Sequence, residues 1–321
     1  MRNDLTGYRP GVTGSDDGVV AAQLPIAQHP RLAYGLISGN PNTQGPAHVT
    51  SRVFITGGAS GLGRALALRY ARAGWRVCIG DLDLARCHDT ITEVHASSPE
   101  SHALVCDVRR DADLEAAADW LKQNWDGVDV VINNAGVAQM GNIADVPLTD
   151  WQWIVDINLL GVVRGCKVFT PLLRAQGGGQ LVNIASMAGL IHLPQAAAYN
   201  ATKAAVVALS ETLQLELEPH NIRVSVVCPS FFRTDLAKNM RANSAELESQ
   251  TKRLVERARI GADAIADRVF DGVARGAAHI LTHAEGRFAW RLKRYLPYRV
   301  YLGVMRKTLA KVQARMRRKP A

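Results

Sequence analysis

A doubly wound parallel α/β sheet, helices on both faces, is the fold class that three observations predict. The only repeated theme along the 321 residues is a short apolar run followed by a stretch of helical periodicity, the alternation that builds parallel sheets covered on both sides. A hydrophobic content of 47% suffices for a sizeable core. The first apolar run breaks into glycines and resumes with helical spacing, as a strand, tight turn and helix do. Strands are expected at 52–56, 75–80, 103–106, 128–133, 180–185 and 223–228, with a further one near 279–282 and helices in the intervals. Ligands of such a sheet bind beyond the C-terminal ends of its strands. The domain is expected to run from 49 to 285, between an extension over 1–48 and a tail over 286–321.

The first turn lies in Arg52-Val53-Phe54-Ile55-Thr56-Gly57-Gly58-Ala59-Ser60-Gly61-Leu62-Gly63-Arg64. Gly57 supplies positive φ, Gly61 lets backbone approach a pyrophosphate, and Gly63 lets the helix pack on the strand; the helix N-terminus adds free N–H donors. The spacing is Gly-x-x-x-Gly-x-Gly rather than the commoner Gly-x-Gly-x-x-Gly. The next strand ends at Asp81, about 20 residues on, where an acid holds a ribose hydroxyl and repels the 2′-phosphate of NADP. No Arg or Lys occupies the turn or the two positions after Asp81, which favours NAD. Arg64, in the first turn of the helix, is placed to reach a phosphate, so NADP stays open.

Tyr199 and Lys203 lie four residues apart at the start of an Ala-rich helical segment, on one face, shortly after Ser186. An ammonium beside a phenol favours the phenolate and lowers its pKa toward the working range of a general acid or base. An isolated Tyr-x-x-x-Lys spacing is more often a half-buried tyrosine and a solvated lysine, and the glycine turn upstream tips the reading toward chemistry.

These residues together resemble the short-chain dehydrogenase/reductase family over roughly residues 50 to 285. Thr56 to Gly63, including Ser60 and Leu62, looks like its cofactor turn; Asn133-Asn134-Ala135-Gly136 looks like its motif after the fourth strand; Asn158, Ser186, Tyr199 and Lys203 fall where its catalytic tetrad falls. The resemblance implies a Rossmann-type fold and a nicotinamide cofactor. Asp107 and Val108 would meet the adenine, Asn134, Ala135 and Gly136 would border the cofactor, and Pro229 and Thr234 would hold the nicotinamide end. It further implies an alcohol or carbonyl substrate, Tyr199 as general acid/base, Ser186 on the substrate oxygen, Lys203 on the phenol and the ribose, and Asn158 positioning a water that relays the proton. A homodimer or homotetramer is expected. Two departures stand out: Pro229-Ser230 where the family commonly has Pro-Gly, and Ala185 where a serine is frequent. Serine tolerates positive φ poorly, so that turn is of another type or shifted. Two other classes fit the same fold, a non-catalytic dinucleotide sensor and an epimerase or dehydratase using the cofactor transiently.

Five scattered cysteines show neither metal-ligand nor disulfide spacing and read as small apolar residues of a reducing, cytoplasmic compartment. The nine histidines form no cluster, His192 reads as a surface-loop residue, and no metal site is expected. Residues 1–48 are rich in Gly, Pro, Asn and Gln without periodicity and read as a disordered extension. From Arg287 onward there are twelve Lys or Arg and no acid. Tyr301, Met305, Leu309, Val312 and Met316 make a helical stripe there, preceded by Phe288, Trp290, Tyr295 and Tyr298. This basic amphipathic tail reads either as a peripheral anchor on the inner membrane face or as a helix packed on the protein; nucleic acid is not expected. The polar stretch from Thr234 to about Ile260 suits a lid over the substrate cleft, with Phe231 and Phe232 at its entrance.

Overall fold

The structure, a computed structural model, describes residues 50–236 and 240–317, without the side chains of 309 and 311–317; the expected extension over 1–48 lies outside the described residues. The chain begins β1 (Arg52–Thr56), α1 (Gly61–Arg72), β2 (Arg76–Asp81), α2 (Leu84–His95), β3 (His102–Val105), α3 (Asp111–Trp125), β4 (Val130–Asn133). Then come β5 (Gln139–Met140), α4 (Leu148–Val155), a π-helical turn (Asp156–Leu160), α5 (Gly161–Ala175), β6 (Gly179–Ile184), a 3₁₀ turn (Met187–Gly189) and α6 (Ala197–Leu217). β7 (Ile222–Val227), β8 (Arg241–Ala242), α7 (Ala245–Glu256), α8 (Ala262–Ala274), β9 (His279–Ile280), α9 (Ala284–Tyr295) and α10 (Tyr298–Arg317) complete it.

Seven strands form one parallel sheet in the order β3-β2-β1-β4-β6-β7-β9. The order reverses between β1 and β4, opening the crevice in which doubly wound sheets bind ligands. All seven expected strands are present. Alternation along β1 assigns its neighbours: Val53 and Ile55 face a core with α1 and α8, while Phe54 faces the opposite core with α3 and α5. The other end of this pair is locked by Arg52, whose guanidinium donates to both oxygens of Asp129 at 3.0 and 2.8 Å and to the Trp125 carbonyl at 2.7 Å. A buried guanidinium holding three acceptors fixes the entry of β4 beside β1.

Two elements differ from expectation. The polar stretch after Thr234 contains α7, capped by the Ser244 hydroxyl accepting from the Leu247 N–H and burying Leu247, Thr251 and Val255. Preceding it, β8 pairs in parallel with β5, tying the chain across to the loop after β4. The β5–β8 pairing joins segments about 100 residues apart, which local pattern does not display.

At Gly63 an added Cβ would lie 2.0 Å from the Gly57 carbonyl oxygen. At Gly303, inside α10, it would meet nothing within 4 Å. Gly63→Ala is therefore expected to lower unfolding free energy by about 2–4 kcal/mol in urea titrations, and Gly303→Ala to be neutral or stabilising by up to about 1 kcal/mol.

Candidate active site

A cavity of about 700 Å³ opens at the C-terminal ends of the central strands. Every residue expected to border a cofactor, from Gly57 to Thr234, lines it, as do Ser186, Tyr199 and Lys203. Asn158 is fully buried behind its wall.

The glycine turn is held from both sides. Gly57 and Gly61 adopt φ of +65° and +54°, and the close approach at Gly63 seats the N-terminus of α1 over the end of β1. From β4, the Asn134 side-chain amide donates to the carbonyls of Thr56 and Gly57 at 2.8 and 3.1 Å, while its own N–H donates to the Thr56 hydroxyl at 3.0 Å. From β2, the buried Asp81 carboxylate accepts from the Ala59 N–H at 3.1 Å and from Leu82 at 2.9 Å. Asp81 thus anchors the turn as well as facing the cavity.

Two arginines flank that end of the cavity. Arg86, in the first turn of α2, places its guanidinium 3.2 Å from Asp81 Oδ1. Arg109 grips Asp107 through both carboxylate oxygens, with Nη2–Oδ2 at 2.6 Å, and these hydrogen bonds hold the Asp107 carboxyl below the usual carboxylate range. Arg64, expected within reach of a phosphate, pairs instead with Glu93 on α2. Arg86 escaped the sequence reading because it lies five positions beyond Asp81; a helix returns that position beside the strand end, where a short linear window does not look.

At the other end, Ser186 follows β6 and caps the 3₁₀ turn, its hydroxyl accepting from the Ala188 N–H at 3.1 Å. The Tyr199 phenol, on α6, is hydrogen-bonded to Ser186. Lys203 comes one turn later, its ammonium 5.9 Å from the Tyr199 ring centroid and donating to the Ile184 carbonyl at 2.9 Å. The expected depression of the phenol by the ammonium is not what the electrostatics give. Burial pushes the Tyr199 phenol up, against the lowering hydrogen bond from Ser186, and burial pushes Lys203 down to about 8. Taking a charge out of water outweighs the attraction between two groups separated by most of a ring's width.

Asn158 sits in the π-helical turn. Its Oδ1 accepts from the Val137 N–H and its Nδ2 donates to the Val137 carbonyl, both at 2.8 Å. The Asn158 side-chain amide is thus engaged as a two-point clamp on the segment that carries Asn134 to Gly136.

The Pro229-Ser230 departure resolves into a turn of another type. Ser230 does not adopt positive φ; its N–H donates to Nδ1 of His283 at 3.2 Å. His283 is buried just past β9, and burial, reinforced by Arg268, lowers its pKa, keeping that nitrogen an acceptor. No ligand spacing marks His283 in the sequence, and only the tertiary neighbour identifies it. α9 follows directly, and Glu285, Gly286 and Ala289 wall the cavity. His192 is exposed, as expected for a surface loop.

The short chain dehydrogenase family profile matches residues 51–245, and the chain belongs to that family. Probable oxidoreductase EphD of Mycobacterium tuberculosis is 36% identical over 185 residues, covering 57% of this chain and 31% of that protein; the chain thus spans about a third of the length of that relative. The CLA biosynthesis dehydrogenase/reductase of Lactiplantibacillus plantarum is 31% identical over 252 residues, covering 73% of this chain and 88% of that one. A short-chain dehydrogenase/reductase from Burkholderia phymatum, solved in complex with NAD, superposes with a TM-score of 0.72 at 31% identity, covering 76% of this chain and 93% of that one.

Lys203 titrates near 8 folded against an ordinary 10.5, so the unfolded chain binds more protons between those values and stability rises with pH across that window. A Lys203→Met variant lacks this titration. Urea titrations are expected to show wild type gaining about 2–3 kcal/mol on the variant between pH 7 and pH 10.

Proposed function

We propose that this protein is a nicotinamide-dependent oxidoreductase that interconverts an alcohol and a ketone or aldehyde. The observation that carries the reading is the meeting, on one cavity, of the Ser186–Tyr199–Lys203 group with a glycine cradle whose dimensions leave no room for a Cβ. The cradle fits a pyrophosphate: positive-φ glycines, a helix N-terminus and an anchoring carboxylate at the neighbouring strand end. When bound, the dinucleotide supplies the hydride acceptor or donor.

The protein's own residues would act as follows. Asp81 and Arg86 meet the adenosine ribose, Asp107 and Val108 the adenine, and Thr234 with Pro229 the nicotinamide end. Ser186 donates to the substrate oxygen and holds it beside the phenol. Tyr199 passes the proton between its phenolic oxygen and that oxygen. Lys203, fixed by the Ile184 carbonyl, stands beside the phenol and favours its ionised form when charged. Asn158 keeps the cofactor-bordering segment in place through Val137. An Asp81 carboxylate favours NAD, and the neighbouring Arg86 softens that preference toward NADP. A reducing cytoplasm fits the five buried cysteines, all free, and a homo-oligomer fits the family's general habit.

The substrate is read as lipophilic. Trp153, Ile191, Leu193, Phe231 and Val255 line the same cavity, an apolar wall that favours an acyl, sterol-like or terpenoid compound over a sugar.

A panel of alcohols and ketones assayed with both nicotinamides by absorbance tests the activity; turnover without net NADH accumulation would instead indicate an epimerase or dehydratase, and cofactor binding without turnover a sensor. Tyr199→Phe is expected to keep cofactor affinity, measured by nicotinamide fluorescence, while turnover falls roughly 10²–10⁴-fold. Asp81→Ala is expected to lower the NAD-over-NADP ratio of kcat/KM by about tenfold or more, a loss of one charge-assisted contact; an unchanged ratio would place the ribose elsewhere.

A further inference from the structure

α9 has two faces of different character. Gly286 and Ala289 turn toward the cavity, Gly286 packing against the Met187 side chain. Trp290 stacks on His279 with ring centroids 5.7 Å apart, and Lys293 donates to the Leu190 carbonyl at 2.6 Å. These positions recur every three to four residues, the spacing of one helix face. The opposite face carries Phe288, Arg291 and Tyr295, spaced three and four apart, with Arg287 and Arg294 beside them. Phe288 is 69% exposed and Tyr295 79%. The start of α10 also exposes Tyr298 at 66%, Val300 and Val304, among the exposed Arg299, Arg306 and Lys307.

Burying a large aromatic removes unfavourable contact with water, and Phe288, Tyr295 and Tyr298 all retain that contact. Six exposed cations surround them, and among the described residues no carboxylate pairs with Arg287, Arg291, Arg294, Arg299, Arg306 or Lys307. No described helix is long and apolar enough to cross a membrane. Arg287 donates to the Leu281 carbonyl and Arg294 lies over the Trp290 ring, yet no carboxylate neutralises any of the six; exposed aromatics among such cations are the composition of a surface that lies on lipid, the rings in the headgroup boundary and the cations against anionic phosphates.

We propose that the outer face of α9 and the first turns of α10 form a docking surface for an anionic phospholipid bilayer, bringing the cavity wall made by α9 next to the lipid. Charge decides the occupant. A second copy meeting this face about a two-fold axis would set the same cations against one another, and a neutral apolar partner would leave them unpaired. Anionic headgroups complement both the rings and the charges. A lipid-dissolved substrate would then enter beside Ala289 and Phe231. The docking itself does not depend on the redox reading, because binding is measured without turnover.

The test is co-sedimentation of the full chain with vesicles of phosphatidylcholine alone and of phosphatidylcholine with phosphatidylglycerol, over a salt series, with duplex DNA as a separate ligand. Binding at least tenfold tighter to the anionic vesicles, weakening with salt, is expected. Arg291→Glu with Arg299→Glu should reduce it by about tenfold or more, since each basic residue near an anionic surface contributes about a fivefold factor. Phe288→Ser with Tyr295→Ser should reduce it several-fold while thermal unfolding is unchanged, these side chains being exposed. Equal affinity for both vesicles, or none for either, overturns the proposal. So does indifference to both pairs of substitutions, DNA binding as tight as vesicle binding and unaffected by aromatic loss, or dissociation of an oligomer by the same changes.

Discussion

The end of β1 and the start of α1 approach so closely that position 63 has no room for a Cβ, with the Gly57 carbonyl 2.0 Å from where one would lie. Everything at the cofactor end of the cavity follows from that approach. It seats the unpaired N–H groups of the first helical turn over the reversal point of the sheet, where the helix dipole favours an anion. The strands on either side then hold the turn there. Asn134 does so by donating to the Thr56 and Gly57 carbonyls, and Asp81 by accepting from Ala59. Asn158, clamped on Val137, stiffens the segment that carries Asn134.

Around Tyr199 and Lys203, desolvation is the governing electrostatic effect. It raises the Tyr199 phenol and lowers Lys203 to about 8, so the fold carries a buried amine that is held less firmly in its charged form than a solvated lysine is. Structures retain such groups where function needs them and stability is lost in return. The Ile184 carbonyl at 2.9 Å gives the ammonium one acceptor, which limits the penalty without removing it. Raised by burial, the phenol is held in its protonated form, and ionising it takes a higher pH or a nearer positive charge.

The substrate side draws on segments far apart in the chain: the loop after β6, the turn after β7, α7 and α9. His283 joins two of them, accepting from Ser230 while beginning the helix whose inner face walls the cavity. Changes in α9 therefore bear on the loop that carries Ser230 as well as on the outer surface.

Seven strands, the glycine turn, Asp81 at the end of β2 and the Tyr199–Lys203 pairing on α6 were legible in the sequence, because each is set by local rules: apolar runs, glycine where φ is positive, and helical spacing of four. Only the tertiary structure decided the β5–β8 pairing, the diversion of Arg64 to Glu93, the placement of Arg86 on Asp81, the support of Ser230 by His283, and the sign of the Tyr199 shift. These depend on which distant segment packs alongside and how much water it removes, quantities that residue spacing does not encode. Charge along the chain marked the basic end, but its division into an inner face on the cavity and an outer face of exposed rings came from the packing of α9 against Met187 and Leu190.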